Sequence, residues 1–111
     1  MLDAMAHAAS LEECRLETAV EHEYEAYRFR RTDPAVEIAF AALEAVGYEP
    51  RPIESGGGAD AHVFNARGRD CVNLTNGMTD IHTAQERIAV GDLDAMTRVT
   101  LALIDQARAR R

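Results

Sequence analysis

His82 stands in the polar stretch "GMTDIHTAQE". Imidazole is the commonest side-chain ligand for transition metals. A zinc site, however, draws on at least three protein ligands. The other histidines, His7, His22 and His62, stand in no H-x-x-x-H or H-x-D relation, and Asp80, two residues before His82, is expected to point elsewhere. Cys14 and Cys71 show no metal-ligand spacing. Taken by itself, the sequence assembles no metal site around His82. The plainer alternative is a surface or hydrogen-bonded loop histidine.

Three further groups bear chemistry-capable side chains. Gly56, Gly57 and Gly58 precede Asp60 in "SGGGAD". Glycine permits positive φ and close approach of a ligand or another backbone. Gly56, Gly58 and Ala61 fit the dinucleotide pattern G-x-G-x-x-A, with Asp80 about twenty residues on. Pro52 interrupts the preceding strand, however, and Asp80 falls well beyond the second one. No Lys-Ser/Thr follows, so the stretch is no Walker loop. A tight structural turn and a turn that lines a substrate pocket both remain open. Glu12 and Glu13 form an adjacent carboxylate pair, which can serve metallohydrolases as base and ligand; at the end of a polar helix, a solvated face is the expected reading. Asn73 falls at the end of a buried strand, where open α/β sheets place ligand groups. It can bind substrate or tie down the next loop.

The elements that position these residues follow from periodicity and caps. Residues 2 to about 14 have helical spacing in Leu2, Met5, Ala6 and Ala9. Residues 16–29 alternate as one long strand, with a slip of phase near Ala26 that suggests a bulge. Asp33, Pro34 and Gly47 mark the cap, first turn and end of a helix. Pro50 and Pro52 demote residues 50–55 to a short or edge strand. A two-turn helix is expected over Asp60 to Ala66, closed by Gly68, then a buried strand at 71–74. Residues 75–85 read as loop, and Asp92 opens a final helix. The order from Pro34 predicts an α/β fold: a partial, parallel-rich sheet with flanking helices. Residues 1–31 read as a separate piece from 32–111, with the boundary near "RRTDP".

Composition narrows the function classes. The 111 residues suit one small domain, and 47% are hydrophobic but only 5% aromatic, so the core is expected to be thin. A net charge of −7 argues against a nucleic-acid partner, which needs a basic face. Arg108, Arg110 and Arg111 complement the dipole at the end of the last helix. No stretch reaches the ~18 apolar residues of a membrane span, and no secretory leader is expected at the N-terminus. A reducing cytoplasm is the expected location.

The blocks "SGGGADAHVFNARG", "CVNLTNGM" and "IHTAQERIAVGDLDAM", in this order and spacing, resemble the C-terminal end of the M20 family of zinc aminopeptidases and carboxypeptidases. Within that family the peptidase T-like branch is most similar. The resemblance covers residues 32–108 well and 1–31 more loosely. It implies a C-terminal segment of an exopeptidase that cleaves small peptides and uses two zinc ions. Residues 1–31 would be a remnant of a lid or dimerisation domain, and 32–111 the closing part of the catalytic domain. His82 matches the family's final zinc ligand. Gly57, Gly58 and Asp60 match the turn that lines the substrate pocket, with Asn73 beside it. Glu86 matches an acid in a supporting role.

Two positions depart from the family pattern. His62 stands where relatives usually carry Asn, and Ser55 where some carboxypeptidase-like relatives carry Arg. The H-x-D motif, the bridging Asp and the Glu-Glu pair with its general base all belong upstream, so no catalytic residue is assigned. The resemblance thus implies a piece that is inactive alone and binds no stable zinc by itself. An edge at 16–29, short of backbone partners, predicts a homo-oligomer through that segment. The alternative is a stand-alone binding or oligomerisation module that kept the fold and lost the chemistry.

Overall fold

Helix ends fall where prolines and glycines put them. The computed structural model describes residues 1–11 and 14–110. Glu12, Glu13 and Arg111 lie outside the described residues. The helices are α1 (Leu2–Leu11), α2 (Pro34–Ala45), α3 (Asp60–Ala66) and α4 (Val90–Ala109). Pro34 takes the first position of α2, where its missing N–H costs nothing. The helix closes through Gly47 at φ 89, with Gly47 N–H donating to Glu44 O (3.0 Å) and Tyr48 N–H to Leu43 O (2.9 Å). Gly68 at φ 70 ends α3 by the same pair of bonds, to Asn65 and Phe64. Both are Schellman ends, which need a residue tolerant of the left-handed region.

The first helix, expected over 2 to about 14, is described over Leu2–Leu11. Two sequence expectations for the helices need correction. The last helix begins at Val90, so Asp92 sits inside its first turn instead of opening it. Asp33 occupies the N-cap position of α2 without capping it. Its Oδ2 instead accepts the Arg30 N–H at 2.7 Å and tightens the turn that enters the helix.

The expected α/β sheet is overturned: no β-strand occurs among the described residues. The sole ladder element is an isolated antiparallel bridge between Thr79 and Arg87. Residues 16–29, 50–55 and 71–74, read as strands from their alternation and flanking prolines, carry no strand assignment. No backbone-to-backbone hydrogen bond joins any of these segments to another. Alternation selects which side chains face a packed surface, whereas a strand is defined by its neighbour. Residues 72–77 show the first without the second. Val72, Leu74 and Asn76 are half-buried; Asn73, Thr75 and Gly77 are exposed. Cys71 has both backbone groups bonded by one side chain. Asn65 Nδ2 donates to Cys71 O and Asn65 Oδ1 accepts the Cys71 N–H, both at 2.8 Å.

Packing is concentrated in one place. Among the described residues, α2 and α4 are the only helices in contact. The buried side chains there are Ala39, Ala42, Ala95 and Val99. Their i, i+3 and i, i+4 spacing puts each pair on one face of its helix. Arg110 Nη1 pairs with Glu37 Oε2 at 2.7 Å, tying the C-cap of α4 to the first turn of α2. The guanidinium of Arg31 lies 5.1 Å from the Phe40 ring and holds the entry to α2. Extended segments lie against the two helices and leave a cleft of about 520 Å³, lined by Phe40, Leu43, Val72, Leu74, Met96 and Val99 among others. The radius of gyration is 19.9 Å, against about 13 Å for a compact chain of similar size. α1 buries no residue. No helix among the described residues is long and apolar enough to cross a membrane.

Ala42 has no exposed surface. Ala42→Leu is therefore expected to force α2 off α4 and to cost about 1–3 kcal/mol, read as a lower urea midpoint. Leu101→Ala, at a position 60% exposed, should change that midpoint by no more than about 0.5 kcal/mol equivalent.

Candidate functional site

The glycine turn and the start of α3 form one wall of a small recess. Ala59 is the N-cap of α3 and has no side-chain oxygen to offer the first turn. His62, three residues on, supplies half of the missing cap: its Nδ1 lies 3.1 Å from the Ala59 N and accepts that N–H. The His62 ring is itself held by two tyrosines. Tyr24 lies 4.3 Å away, tilted at 48°, and Tyr27 meets it edge-on at 4.9 Å. Gly58 makes room for this arrangement, because a Cβ there would lie 2.7 Å from a Tyr24 ring carbon. Gly56, by contrast, has open space around it. The close approach that glycine permits is thus to a ring of the chain itself.

The recess, of about 190 Å³, is lined by Tyr27, Ser55, Gly57, His62 and Asn73 with Phe29 and Val72. Ser55 Oγ accepts the Gly57 N–H at 3.4 Å. Asn73 Nδ2 reaches the Tyr27 hydroxyl at 3.5 Å, a long bond that ties segment 16–29 to segment 72–77. Asp60 is the first residue of α3 and is exposed there. Its charge complements the helix dipole. Of the residues singled out from sequence, Gly57 and Asn73 meet in this recess, with Gly58 and Asp60 flanking it in the chain. Sequence reasoning passed over Asn65, and noted His62 as a departure from the family pattern without giving it a role. Their signals were present: His62 falls at the third position of a helix with no capping oxygen, and Asn65 precedes the Gly68 stop.

His82 lies elsewhere, on a loop closed at its base by Thr79 and Arg87, and it lines neither the recess nor the larger cleft. Thr79 N–H donates to Arg87 O (2.9 Å) and Arg87 N–H to Thr79 O (3.2 Å). Asp80 does point away from His82: its carboxylate pairs with Arg87. Asp80 and His82 have φ of 54 and 67, the two positive values among described non-glycine residues. Left-handed backbone costs an L-residue about 1–2 kcal/mol, so the loop must hold these residues against relaxation. Glu86 contributes: its Oε2 accepts the His82 N–H at 2.9 Å. The support goes to the backbone of His82, while the imidazole makes no hydrogen bond or ion pair to any described residue. Upstream, Gly77 at φ 81 lets the Asp92 carboxylate approach, since a Cβ would lie 2.7 Å from its Cγ. The loop is thereby anchored to the first turn of α4.

These residues do not make a metal site on their own. Among the described residues no group of three His, Cys, Asp or Glu side chains converges, and zinc needs three protein ligands. Glu86 meets the His82 backbone, and among the described residues no further imidazole or carboxylate completes a coordination set there.

The chain matches the family model for peptidase family M20/M25/M40 over residues 6–106. It is 33% identical over 93 residues to the uncharacterized protein YqjE of Bacillus subtilis (strain 168), across 84% of this chain and 25% of that protein. The crystal structure of aminopeptidase PepT from Bacillus cereus ATCC 10987 is similar with a TM-score of 0.72 and 37% identity, over 75% of this chain and 22% of that one. The chain thus spans about a quarter of the length of these relatives.

Two glycine substitutions separate the two regions. Gly58→Ala is expected to push the Tyr24 ring off His62, seen as loss of the Tyr24–His62 cross-peaks in NMR with helical circular dichroism unchanged. Gly77→Ala places a side chain at positive φ and should destabilise by about 1–2 kcal/mol, read as a lower thermal midpoint. Unchanged Tyr24–His62 cross-peaks, or an unchanged midpoint, would refute the respective assignment.

Proposed function

The chain belongs to peptidase family M20/M25/M40, and from that premise we propose that it supplies one part of a zinc-dependent exopeptidase acting on small peptides. His82 is the metal-binding side chain that this segment contributes. Glu86 is its supporting acid. Gly57, Gly58, Asp60 and Asn73 line or shape the place where substrate lies. Residues 32–111 belong to the C-terminal part of the catalytic domain, and residues 1–31 to a lid or dimerisation domain. The segment 16–29, exposed up to Ala26 and without backbone-to-backbone hydrogen bonds, is where a second copy would associate.

One observation carries this reading. A loop in a peptidase-family segment holds His82 at φ 67 through backbone contacts and leaves its imidazole without a protein partner among the described residues. Strained non-glycine residues persist where surrounding structure over-determines them, and they cluster at functional sites. The name of the similar solved structure, an aminopeptidase, favours peptides as substrates. The remaining metal ligands and the base that moves the proton lie on polypeptide from the three-quarters of the relatives' length that this chain does not span. This chain alone is therefore catalytically silent.

The test compares the chain alone with the chain mixed with a polypeptide supplying the remainder of an M20 fold. Zinc content after gel filtration and hydrolysis of di- and tripeptides are measured in both. Alone, the chain should retain no stoichiometric zinc and show no turnover. The mixture should gain both, and His82→Ala should remove both. Robust turnover by the chain alone would overturn the reading. A mixture in which His82→Ala matches wild type would remove His82 from the metal. Sedimentation as a monomer at all concentrations would exclude association through 16–29.

A further inference from the structure

We infer that Arg87 is a positioning residue: its guanidinium clamps the loop 79–87 so that His82 is held in the left-handed backbone conformation that presents its imidazole. The inference rests on His82 being the group that matters in this loop.

The two strained residues are the starting point. Asp80 and His82 both have positive φ, at 54 and 67, and neither is glycine. Without restraint each would relax to negative φ. Arg87 is the residue placed to prevent this, because it grips the loop in three ways. Its backbone closes the base, through the paired bonds with Thr79. Its Nη1 pairs with the Asp80 carboxylate, the side chain of the first strained residue. The same Nη1 reaches the Gln85 carbonyl at 3.3 Å on the returning limb. One planar guanidinium thus spans both limbs of the loop, with His82 between them.

The other bonds of the loop all lie inside this clamp. Thr83 N–H and Oγ1 both donate to Asp80 O, at 3.2 and 2.7 Å. Gln85 N–H donates to Thr83 Oγ1 at 3.1 Å, and Glu86 N–H to Thr83 O at 3.2 Å. They fix the tip relative to Asp80. Asp80 itself is fixed by Arg87. Both contacts come from one nitrogen of the guanidinium, so a lysine, which keeps the charge and three donors at a shorter reach, can replace them only in part.

The test uses the full 111-residue chain, isotope-labelled, and needs neither metal nor substrate. A residue at positive φ gives a strong intraresidue HN–Hα cross-peak, which reports the backbone of Asp80 and His82 directly. Arg87→Gln is expected to lose the strong cross-peak at both residues. Amide exchange at His82 should rise by up to about fivefold, the upper limit for a surface ion pair that retains a locally opening segment. Arg87→Lys should recover part of the signal. Asp80→Ala, which removes the other half of the pair, should reproduce at His82 the loss seen in Arg87→Gln. The thermal midpoint of the helices should move by less than about 4 °C in all three, because the pair is on the surface. If Arg87→Gln does not fold, Asp80→Ala decides, read at His82. Retention of the left-handed signature at His82 in the variant that folds overturns the inference. Failure of the mixed assembly to retain zinc would remove the peptidase reading, and would leave the cross-peak result standing as a fact about the loop.

Discussion

The close contact between α2 and α4 is the constraint on which everything else hangs. It is made by alanines and one valine, so the two helix backbones approach without large side chains between them. That closeness is also its weakness. Small residues bury little apolar area each, and hydrophobic stabilisation scales with area. Reinforcement comes from the ends, where Arg110 meets Glu37 and Arg31 covers Phe40. Residues 29–31, 51–53 and 72–77 line the cleft beside this pair. The turn at 30–33 hangs from the start of α2, and the His82 loop is anchored at the start of α4.

The polar groups work by a consistent device. Side chains stand in for backbone partners that the chain does not supply. Asn65 offers its amide to both backbone groups of Cys71. His62 Nδ1 accepts the N–H of Ala59. Asn76 accepts the N–H of Met78 at 3.1 Å, and Glu86 accepts that of His82. Each is short in sequence range, so each fixes a local bend without needing a second layer. The result is a set of locally ordered pieces, with the glycine-turn recess and the His82 loop as two of them, each held by its own anchors.

The sequence disclosed these pieces unevenly. The limits of α2 were legible because Pro34 and Gly47 act through their own backbones, and α3 was legible from Asp60 to Gly68 for the same reason. The strands were misread. The segment 71–74, expected to be a buried strand, is in part half-buried at Val72 and Leu74, but pairing depends on a second segment that no local pattern contains. Asp33 has the chemistry of a cap, yet it turned back to Arg30, a choice between two nearby N–H groups that composition does not settle. At the candidate site, the independence of Asp80 from His82 was legible. The role of Arg87 was not, since it depends on a loop closing seven residues later. The family motifs located the residues; they could not convey that Glu86 holds the backbone of His82.

Residues 16–26 carry a different consequence. They are exposed and extended, and they make no backbone-to-backbone hydrogen bond. Chain in that state is the preferred target for proteolytic nicking. Tyr27 and Phe29, half-buried beside His62 and Val72, mark where the shelter begins. A foreign endoprotease would find its cut sites on the α1 side of Tyr27. Limited digestion would shed the first helix as a short peptide and leave the α2–α4 pair whole.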